Sequence, residues 1–360
     1  MTIHRRELFK RGANSIACAV GASPSFKAWA NLSSADNFAV LNWPDYLERN
    51  ILDDFGKQVG LPTELTEYSN DLALLGNFLK DPTYFDVIIA PSNMAQAMYL
   101  SGTLAEIDKS RIPNISLLDT QFLSPSYDPN RSYTLPYFWG TLGLGYRRSV
   151  FKKTPTSWSA ALENTALKNR IALFDDVDTT MGIALKYLGY SFNSTNLAEL
   201  DQASELLLEQ KPYLYGLHED TGQDLLQKGL CDVVAEWNGD ILALQEEDDR
   251  FAYVVPQEGS VVWEDVFVLP KRSFHTDLGH QFINYLYKTD VNAALAKSFQ
   301  YATPQMAAAK SLGDSYLTNS AIFPDAATLA KCEVQTPRIG ASRSHIDQLW
   351  AKIRAEAKIV

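Results

Sequence analysis

Short apolar runs alternate with amphipathic stretches along most of the chain. The runs have the length of strands and end at polar or turn-forming residues, whereas in the stretches between them apolar positions recur every three to four residues. The apolar runs are 38–43, 85–90, 142–146, 170–174, 231–237, 251–255 and 261–269, and the amphipathic stretches include 71–80, 182–190, 198–210 and 238–248. Strands that alternate with helices of this length predict an α/β fold with mostly parallel sheets.

Aromatic and acidic residues stand together where the predicted strands end. In open α/β sheets, ligands bind beyond the carboxyl ends of the strands, so residues in these positions are candidates for a binding site. The first run continues as LNWPDYL, which places an acid between two large aromatic residues. The candidates at strand ends, within the last run and after a later helical pattern are Trp43, Asp45, Tyr46, Ser92, Asp176, Trp237, Asp240, Trp263, Asp265 and Tyr301.

This combination of side chains suits a ligand that carries positive charges on an aliphatic chain. Ammonium groups need carboxylate partners, because burying an unpaired cation is strongly unfavourable. Aromatic faces pack against methylene groups and also attract the ammonium. A sugar site would need more amides and arginines. The candidates for the apolar walls are Trp43, Trp237, Trp263 and Tyr301, and the candidates for holding charge are Asp176, Asp240 and Asp265.

Each candidate also has a purely structural alternative. An aspartate after a strand commonly caps the next helix, and this role competes for Asp176 and Asp240. Helix capping is the more typical role for Asp45 and Ser92. A tryptophan at a strand end usually packs in the core or at its rim. These separate roles do not explain why each cluster pairs an acid with an aromatic residue.

Length and charge limit the domain organisation and the partners. A chain of 360 residues exceeds the usual size of one hydrophobic core, so two lobes are expected. The formal net charge is −11 and the isoelectric point is near 5.0. This acidity disfavours nucleic acids and anionic membrane surfaces as partners and is compatible with a cationic ligand.

The sequence contains no motif of known catalytic or metal-binding chemistry. The five histidines show no metal-ligand spacing, and no cysteine pair accompanies them. A nucleophile elbow, a phosphate-binding loop and a dinucleotide-binding glycine motif are also absent. We therefore expect no enzyme activity, no cofactor and no metal. We expect Cys231 and Cys332 to be separate thiols.

Residues 1–30 resemble a twin-arginine export signal. The paired Arg5 and Arg6 precede a weakly apolar stretch, and Ala28 and Ala30 are the small residues that a signal peptidase needs. The apolar stretch is too short to remain as a membrane span. We expect the mature protein to begin near Asn31 and to work in the periplasm.

An ordered series of segments carries a family resemblance. LNWPDYL, FDVIIAPS, PYFWGTLGLGY, EWNGD, VVWEDVFVLP and YATPQ follow one another along the chain. Together they resemble the periplasmic spermidine/putrescine-binding proteins, which are bacterial extracellular solute-binding proteins that serve ABC importers. The resemblance extends over residues 36–340.

The resemblance implies a type II periplasmic-binding-protein fold, in which a ligand cleft lies between two lobes. The chain is expected to cross between the lobes near Gly140, Asp265 and Ser311. One lobe would then hold residues 35–140 and 266–311. The other would hold residues 141–265 and 312–360.

The resemblance also implies which residues bind the ligand, and two positions depart from its pattern. Met94 stands where the family often has tyrosine, and Thr179 stands where a glutamate is typical. Asp240 is similar to an acid of putrescine-type members. The choice between putrescine, spermidine and another organic cation therefore stays open. The binding residues that the resemblance carries over are Trp43, Tyr46, Ser92, Asp176, Trp237, Trp263, Asp265, Tyr301 and Gln335.

The function that the resemblance implies is a monomeric receptor that delivers a polyamine to an ABC permease. A polyamine sensor for a membrane signalling partner would have the same pocket and stays open as an alternative. An exported enzyme acting on an amine would need an activated nucleophile or an acid/base pair. The adjacent Asp175 and Asp176 do not suit such a pair, because neighbouring strand residues point to opposite faces.

Overall fold

The computed structural model describes residues 36–355 and 357–360. The export signal predicted for residues 1–30 lies outside these described residues. Within them, every helix is too short or too polar to cross a membrane. Cys231 is buried and Cys332 half-buried, and both thiols are free, as expected from the sequence.

The described chain forms ten strands and fourteen α-helices. The strands are β1 Phe38–Asn42, β2 Thr63–Glu67, β3 Val87–Pro91, β4 Leu135–Arg147, β5 Ile171–Phe174, β6 Gly216–His218, β7 Val233–Trp237, β8 Phe251–Val254, β9 Val261–Val268 and β10 Glu333–Val334. The helices are α1 Arg49–Val59, α2 Asp71–Lys80, α3 Ser92–Leu100, α4 Ser159–Leu162, α5 Val177–Tyr187, α6 Leu197–Gln210, α7 Gly222–Gln227, α8 Asn238–Glu247, α9 Thr276–Leu286, α10 Thr289–Phe299, α11 Met306–Ser311, α12 Asp314–Leu317, α13 Ala326–Leu329 and α14 Gly340–Arg354.

The strands form one sheet in the order β2-β1-β3-β9-β4-β7-β5-β6, with β10 beside β9 and β8 beside β4. At one end β1 pairs in parallel with β2 and β3, and at the other β5 pairs in parallel with β6 and β7. The centre is antiparallel, because β9 runs against β3 and β4, and β4 runs against β7 and β8, although the two-residue β10 pairs in parallel with β9. The expectation of mostly parallel strands is therefore correct at the two ends and wrong at the centre.

The long strand β4 joins the two ends of the sheet. Its residues 135–141 pair with β9, and its residues 142–146 pair with β7. The sequence pattern predicted only 142–146 as a strand, and it also missed β2 and β6. β2 is the mainly polar TELTE and β6 has only three residues, so neither carries an apolar run.

Each end of the sheet is buried on both faces. In β3, Ile89 packs in one hydrophobic cluster and its neighbour Ile88 packs in another on the opposite face. In β5, Leu173 and Ala172 likewise divide between two further clusters. Side chains alternate between the faces of a strand, so helices must cover both sides of each end. This burial explains why the strands read as continuous apolar runs.

A buried ion pair lies beside the centre of the sheet. Arg131 Nη2 is 2.5 Å from Glu264 Oε1, and the two side chains are 2% and 10% exposed. Tyr127 donates its hydroxyl to the same carboxylate, and Arg131 also donates to the carbonyl of Phe122. This network ties the segment before β4 to β9, the strand that carries Trp263 and Asp265.

Candidate ligand-binding site

Four aromatic residues from separate segments form a connected cluster. The ring centroid of Tyr301 lies 5.7 Å from that of Tyr46 and 4.7 Å from that of Trp263. Trp263 lies 6.3 Å from Trp237, and all three pairs are close to perpendicular. Such edge-to-face contacts are favourable for aromatic pairs. The fold thus assembles four predicted site residues that are far apart in sequence.

Asp265 provides a buried carboxyl group beside this cluster. It lies in β9 and is 8% exposed. Burial raises its pKa to about 8, and the charge of Asp71 adds to the shift, whereas the Tyr46 and Trp43 side chains oppose it. The carboxyl group is therefore largely protonated at neutral pH unless a cation lies next to it.

Asp71 and Asp176 bring acidic groups from opposite ends of the sheet towards each other. Asp71 is the first residue of α2, which follows β2, and Asp176 precedes α5, which follows β5. Burial raises the pKa of Asp71 to about 7, and the charges of Asp176 and Asp178 add to this shift. Desolvation by the surrounding chain also raises the pKa of Asp176, although the residue itself is exposed. Like charges in this position favour a cation between them.

Two neighbouring acids are already paired with arginines. Asp178 lies 2.5 Å from Arg338 and 2.7 Å from Arg343. Asp175 lies 2.8 Å from Arg354. Neither carboxylate is free to replace the glutamate that is absent from this segment.

Asp240 forms a second acidic position at the aromatic cluster. Its Oδ2 accepts a hydrogen bond of 2.8 Å from the Tyr301 hydroxyl. Burial raises its pKa to about 6, the Tyr301 hydrogen bond opposes the shift, and the charge of Asp45 adds to it. A Cβ atom on Gly239 would lie 2.3 Å from the Tyr301 ring. The ring thus packs directly on the backbone of α8.

Helix capping was the alternative role for four candidate residues, and it is correct for one of them. Asp176 caps α5, since its Oδ1 accepts a 2.7 Å hydrogen bond from the Thr179 amide. Asp240 lies inside α8 and Ser92 is the first residue of α3, and neither caps its helix. Asp45 is exposed with φ of 53°, and the N-cap position of α1 is held by Glu48 instead.

Ser92 and Gln335 line one cavity, although they are far apart in sequence. The cavity has a volume of about 230 Å³ and is bounded by α3, by the segment before β4 and by the segment that follows β10. Ser92 is 6% exposed. Both predicted polar contacts therefore face the same space.

Comparisons with known proteins identify the family. The model of the bacterial extracellular solute-binding proteins matches residues 50–324. This chain belongs to that family. It is 28% identical over 340 residues to the spermidine/putrescine-binding periplasmic protein of Salmonella typhimurium, covering 94% of this chain and 97% of the relative. It is 28% identical over 337 residues to the putrescine/cadaverine-binding protein of Pseudomonas aeruginosa, covering 90% and 95%.

A solved structure supports the same assignment for this solute-binding protein. The structure of a spermidine/putrescine ABC transporter protein from Listeria monocytogenes superposes with a TM-score of 0.82 at 29% identity. The match covers 89% of this chain and 99% of that one. The predicted two-lobed binding-protein fold is confirmed.

Asp71 of this solute-binding protein was not predicted from the sequence as a site residue. The residue follows Asn70, which caps α2 by accepting a hydrogen bond from the Ala73 amide. An acid in the first turn of a helix is ordinary, since it complements the helix dipole. Prediction of β2 would have indicated Asp71, because the other candidates were chosen as residues that follow a strand.

Proposed function

We propose that this protein is an extracytoplasmic receptor that captures a polyamine, putrescine or spermidine, and delivers it to an ABC permease. The observation that carries the proposal is a set of four carboxyl groups near the aromatic cluster, of which Asp265 is buried, Asp71 and Asp240 are half-buried, and Asp176 is exposed. Within the described residues, Asp71, Asp176, Asp240 and Asp265 form no ion pair with lysine or arginine. Acids held close together without a cationic partner are unfavourable, above all at the buried Asp265, so positive charges on a ligand would stabilise this site.

The proposed contacts divide the ligand into charged ends and an apolar middle. Asp265 pairs with one ammonium group, with Asp176 and Asp71 beside it, and Asp240 with Asp45 receives the other. Methylene groups pack between aromatic rings, which also attract the ammonium groups by about 0.5–2 kcal/mol each. Ser92 and Gln335 add neutral hydrogen bonds. The rings in contact with the ligand are those of Trp43, Tyr46, Trp237, Trp263 and Tyr301.

Capture by closure of the lobes requires crossings of the chain that can bend. We place these crossings near Gly140, Asp265 and Ser311, as the sequence suggested. In support, β4 exchanges its partner strand β9 for β7 directly after Thr141. A Cβ atom on Gly140 would lie 2.3 Å from Asn238 Oδ1, so the start of α8 packs closely against β4 there. Closure would present a surface for the permease.

The proposed setting is the periplasm, reached through the twin-arginine signal, with the protein as a monomer. The matching family consists of extracellular solute-binding proteins, and this supports a role in binding. The relatives named above are binding proteins for polyamines, and this favours import over a sensing role.

Isothermal titration of residues 31–360 tests the proposal. Spermidine and putrescine are titrated separately, with maltose as a neutral control. Binding of either amine in a one-to-one ratio, without binding of maltose, is the expected result. Absence of binding with both amines would contradict the proposal. The two dissociation constants also show which polyamine is preferred by a site with Met94 and Thr179 in place of the family's usual residues.

A further inference from the structure

Three carboxyl groups converge next to the aromatic cluster. One carboxylate oxygen each from Asp220, Glu236 and Asp240 lies within 4.8 Å of the other two. The residues come from the segment after β6, from β7 and from the first turn of α8. The polyamine contacts proposed above use only Asp240. Two of the three acids are therefore unexplained by that site.

Glu236 lacks a partner for one of its oxygens. The residue is completely buried, and its Oε1 accepts a 2.9 Å hydrogen bond from the Trp237 amide. Its buried Oε2 accepts no hydrogen bond of ordinary geometry, although the Gly222 backbone amide lies near the carboxyl group. A Cβ atom on Gly222 would lie 2.4 Å from this oxygen, so Oε2 faces the segment that also carries Asp220. Buried polar atoms are normally satisfied, and the exception here points to a missing ligand.

The donor set matches a hard divalent cation. Calcium is bound by carboxylate oxygens at about 2.3–2.6 Å, in irregular geometries, so that opposite ligands lie roughly 5 Å apart. The spacing within 4.8 Å is compatible with this arrangement. Asp220 is exposed, Asp240 is half-buried and Glu236 is buried, so the cluster extends from the surface into the interior.

We propose that Asp220, Glu236 and Asp240 form a calcium site at one end of the ligand cleft. Histidine and cysteine spacing in the sequence does not indicate this site, because its ligands are acids brought together from separate elements. Asp240 belongs both to this site and to the proposed amine site. Because both ligands use Asp240, bound calcium lowers the affinity of the protein for the amine. Bound amine lowers its affinity for calcium by the same factor.

Terbium luminescence and calcium titration test the site directly. Trp237 adjoins two of the ligands, so terbium bound in place of calcium is expected to emit when tryptophan is excited, and calcium is expected to quench this emission by displacement. Glu236→Gln and Asp220→Asn should each weaken calcium binding at least tenfold. The control is Glu246→Gln, which replaces an exposed acid on α8, the helix that carries Asp240. This variant should leave calcium binding unchanged.

The outcomes separate this proposal from the polyamine proposal. Amine titration in a chelator tests polyamine binding alone, and calcium titration without amine tests the metal site alone. Loss of calcium binding in the two variants but not in the control supports the site. Absence of both calcium binding and terbium emission overturns it, as does equal calcium binding by wild type, Glu236→Gln and Asp220→Asn. Asp220 is exposed, so its variant remains informative even if Glu236→Gln fails to fold.

Discussion

Replacement of Asp265 by asparagine is expected to weaken amine binding in a strongly pH-dependent manner. The substitution keeps the size of the side chain and removes its charge. Asp265 is buried, and its pKa of about 8 in the amine-free protein results mainly from that burial. A bound ammonium group favours the carboxylate, so binding below this pKa must release the proton.

The size of the effect follows from two opposing free energies. Loss of a buried, hydrogen-bonded charge pair costs roughly 2–5 kcal/mol of binding free energy. Ionising a group at a pH below its pKa costs about 1.4 kcal/mol per unit, which is roughly 2.7 kcal/mol at pH 6 for Asp265. At pH 8.5 the substitution should therefore weaken binding by at least about tenfold, the equivalent of 1.4 kcal/mol. At pH 6 the weakening should be smaller than at pH 8.5 by up to about a hundredfold, because the wild type must then first ionise Asp265.

Isothermal titration of putrescine or spermidine at both pH values measures this ratio. Other acids in the cleft titrate in both proteins, so the ratio of the two dissociation constants isolates Asp265. Asp249→Asn, an exposed substitution, serves as the control and should not change the ratio. Equal weakening at pH 6 and pH 8.5 would contradict the assigned ionisation, and no weakening at either pH would remove Asp265 from the site.

Three further predictions concern the packing, the ion pair and the pH dependence of stability. Gly239→Ala should weaken amine binding at least tenfold, because its Cβ would displace the Tyr301 ring, whereas Gly76→Ala in α2 meets no atom within 4 Å and should bind normally in the same titration. Arg131→Met should lower the free energy of unfolding by roughly 3–5 kcal/mol in a urea denaturation, because it leaves the buried Glu264 unpaired; an effect no larger than that of the exposed Arg250→Met would refute this. In the folded, amine-free protein the pKa values of Asp240, Asp71 and Asp265 are raised to about 6, 7 and 8. The stabilisation from these groups is fully present below their unfolded pKa values, near 4, and is lost as the pH rises through 6 to 8. Thermal unfolding should therefore occur at lower temperature at pH 8 than at pH 6, with a smaller difference in Asp265→Asn.

The sequence by itself determined the class of the fold and most of the elements. The buried strands at each end of the sheet appear as apolar runs, because both of their faces are covered and every position is apolar. The strand-end rule also selected Trp43, Tyr46 and Trp237, because parallel strands bring their carboxyl ends to one edge. Trp263 and Asp265 lie within the antiparallel β9 instead, and Tyr301 follows α10. The motif LNWPDYL and the later segments placed these residues in a resemblance to one family of binding proteins.

Only the tertiary structure decided which acids are free to bind a ligand. Asp175, Asp176 and Asp178 are nearly equivalent in sequence, yet arginines from α14 and the segment before it occupy the first and the last. These arginines lie some 160 residues or more away along the chain. Pairing between such distant residues leaves no local signal.

The same reason explains Asp71 and the carboxyl cluster around Glu236. Asp71 looks like an ordinary helix start, and its position near Asp176 depends on how the two ends of the sheet face each other. Asp220, Glu236 and Asp240 come from three elements whose convergence depends on the packing of α7 and α8 against β7. Local patterns specify the elements, whereas the charge balance of the cleft arises only when distant elements pack together.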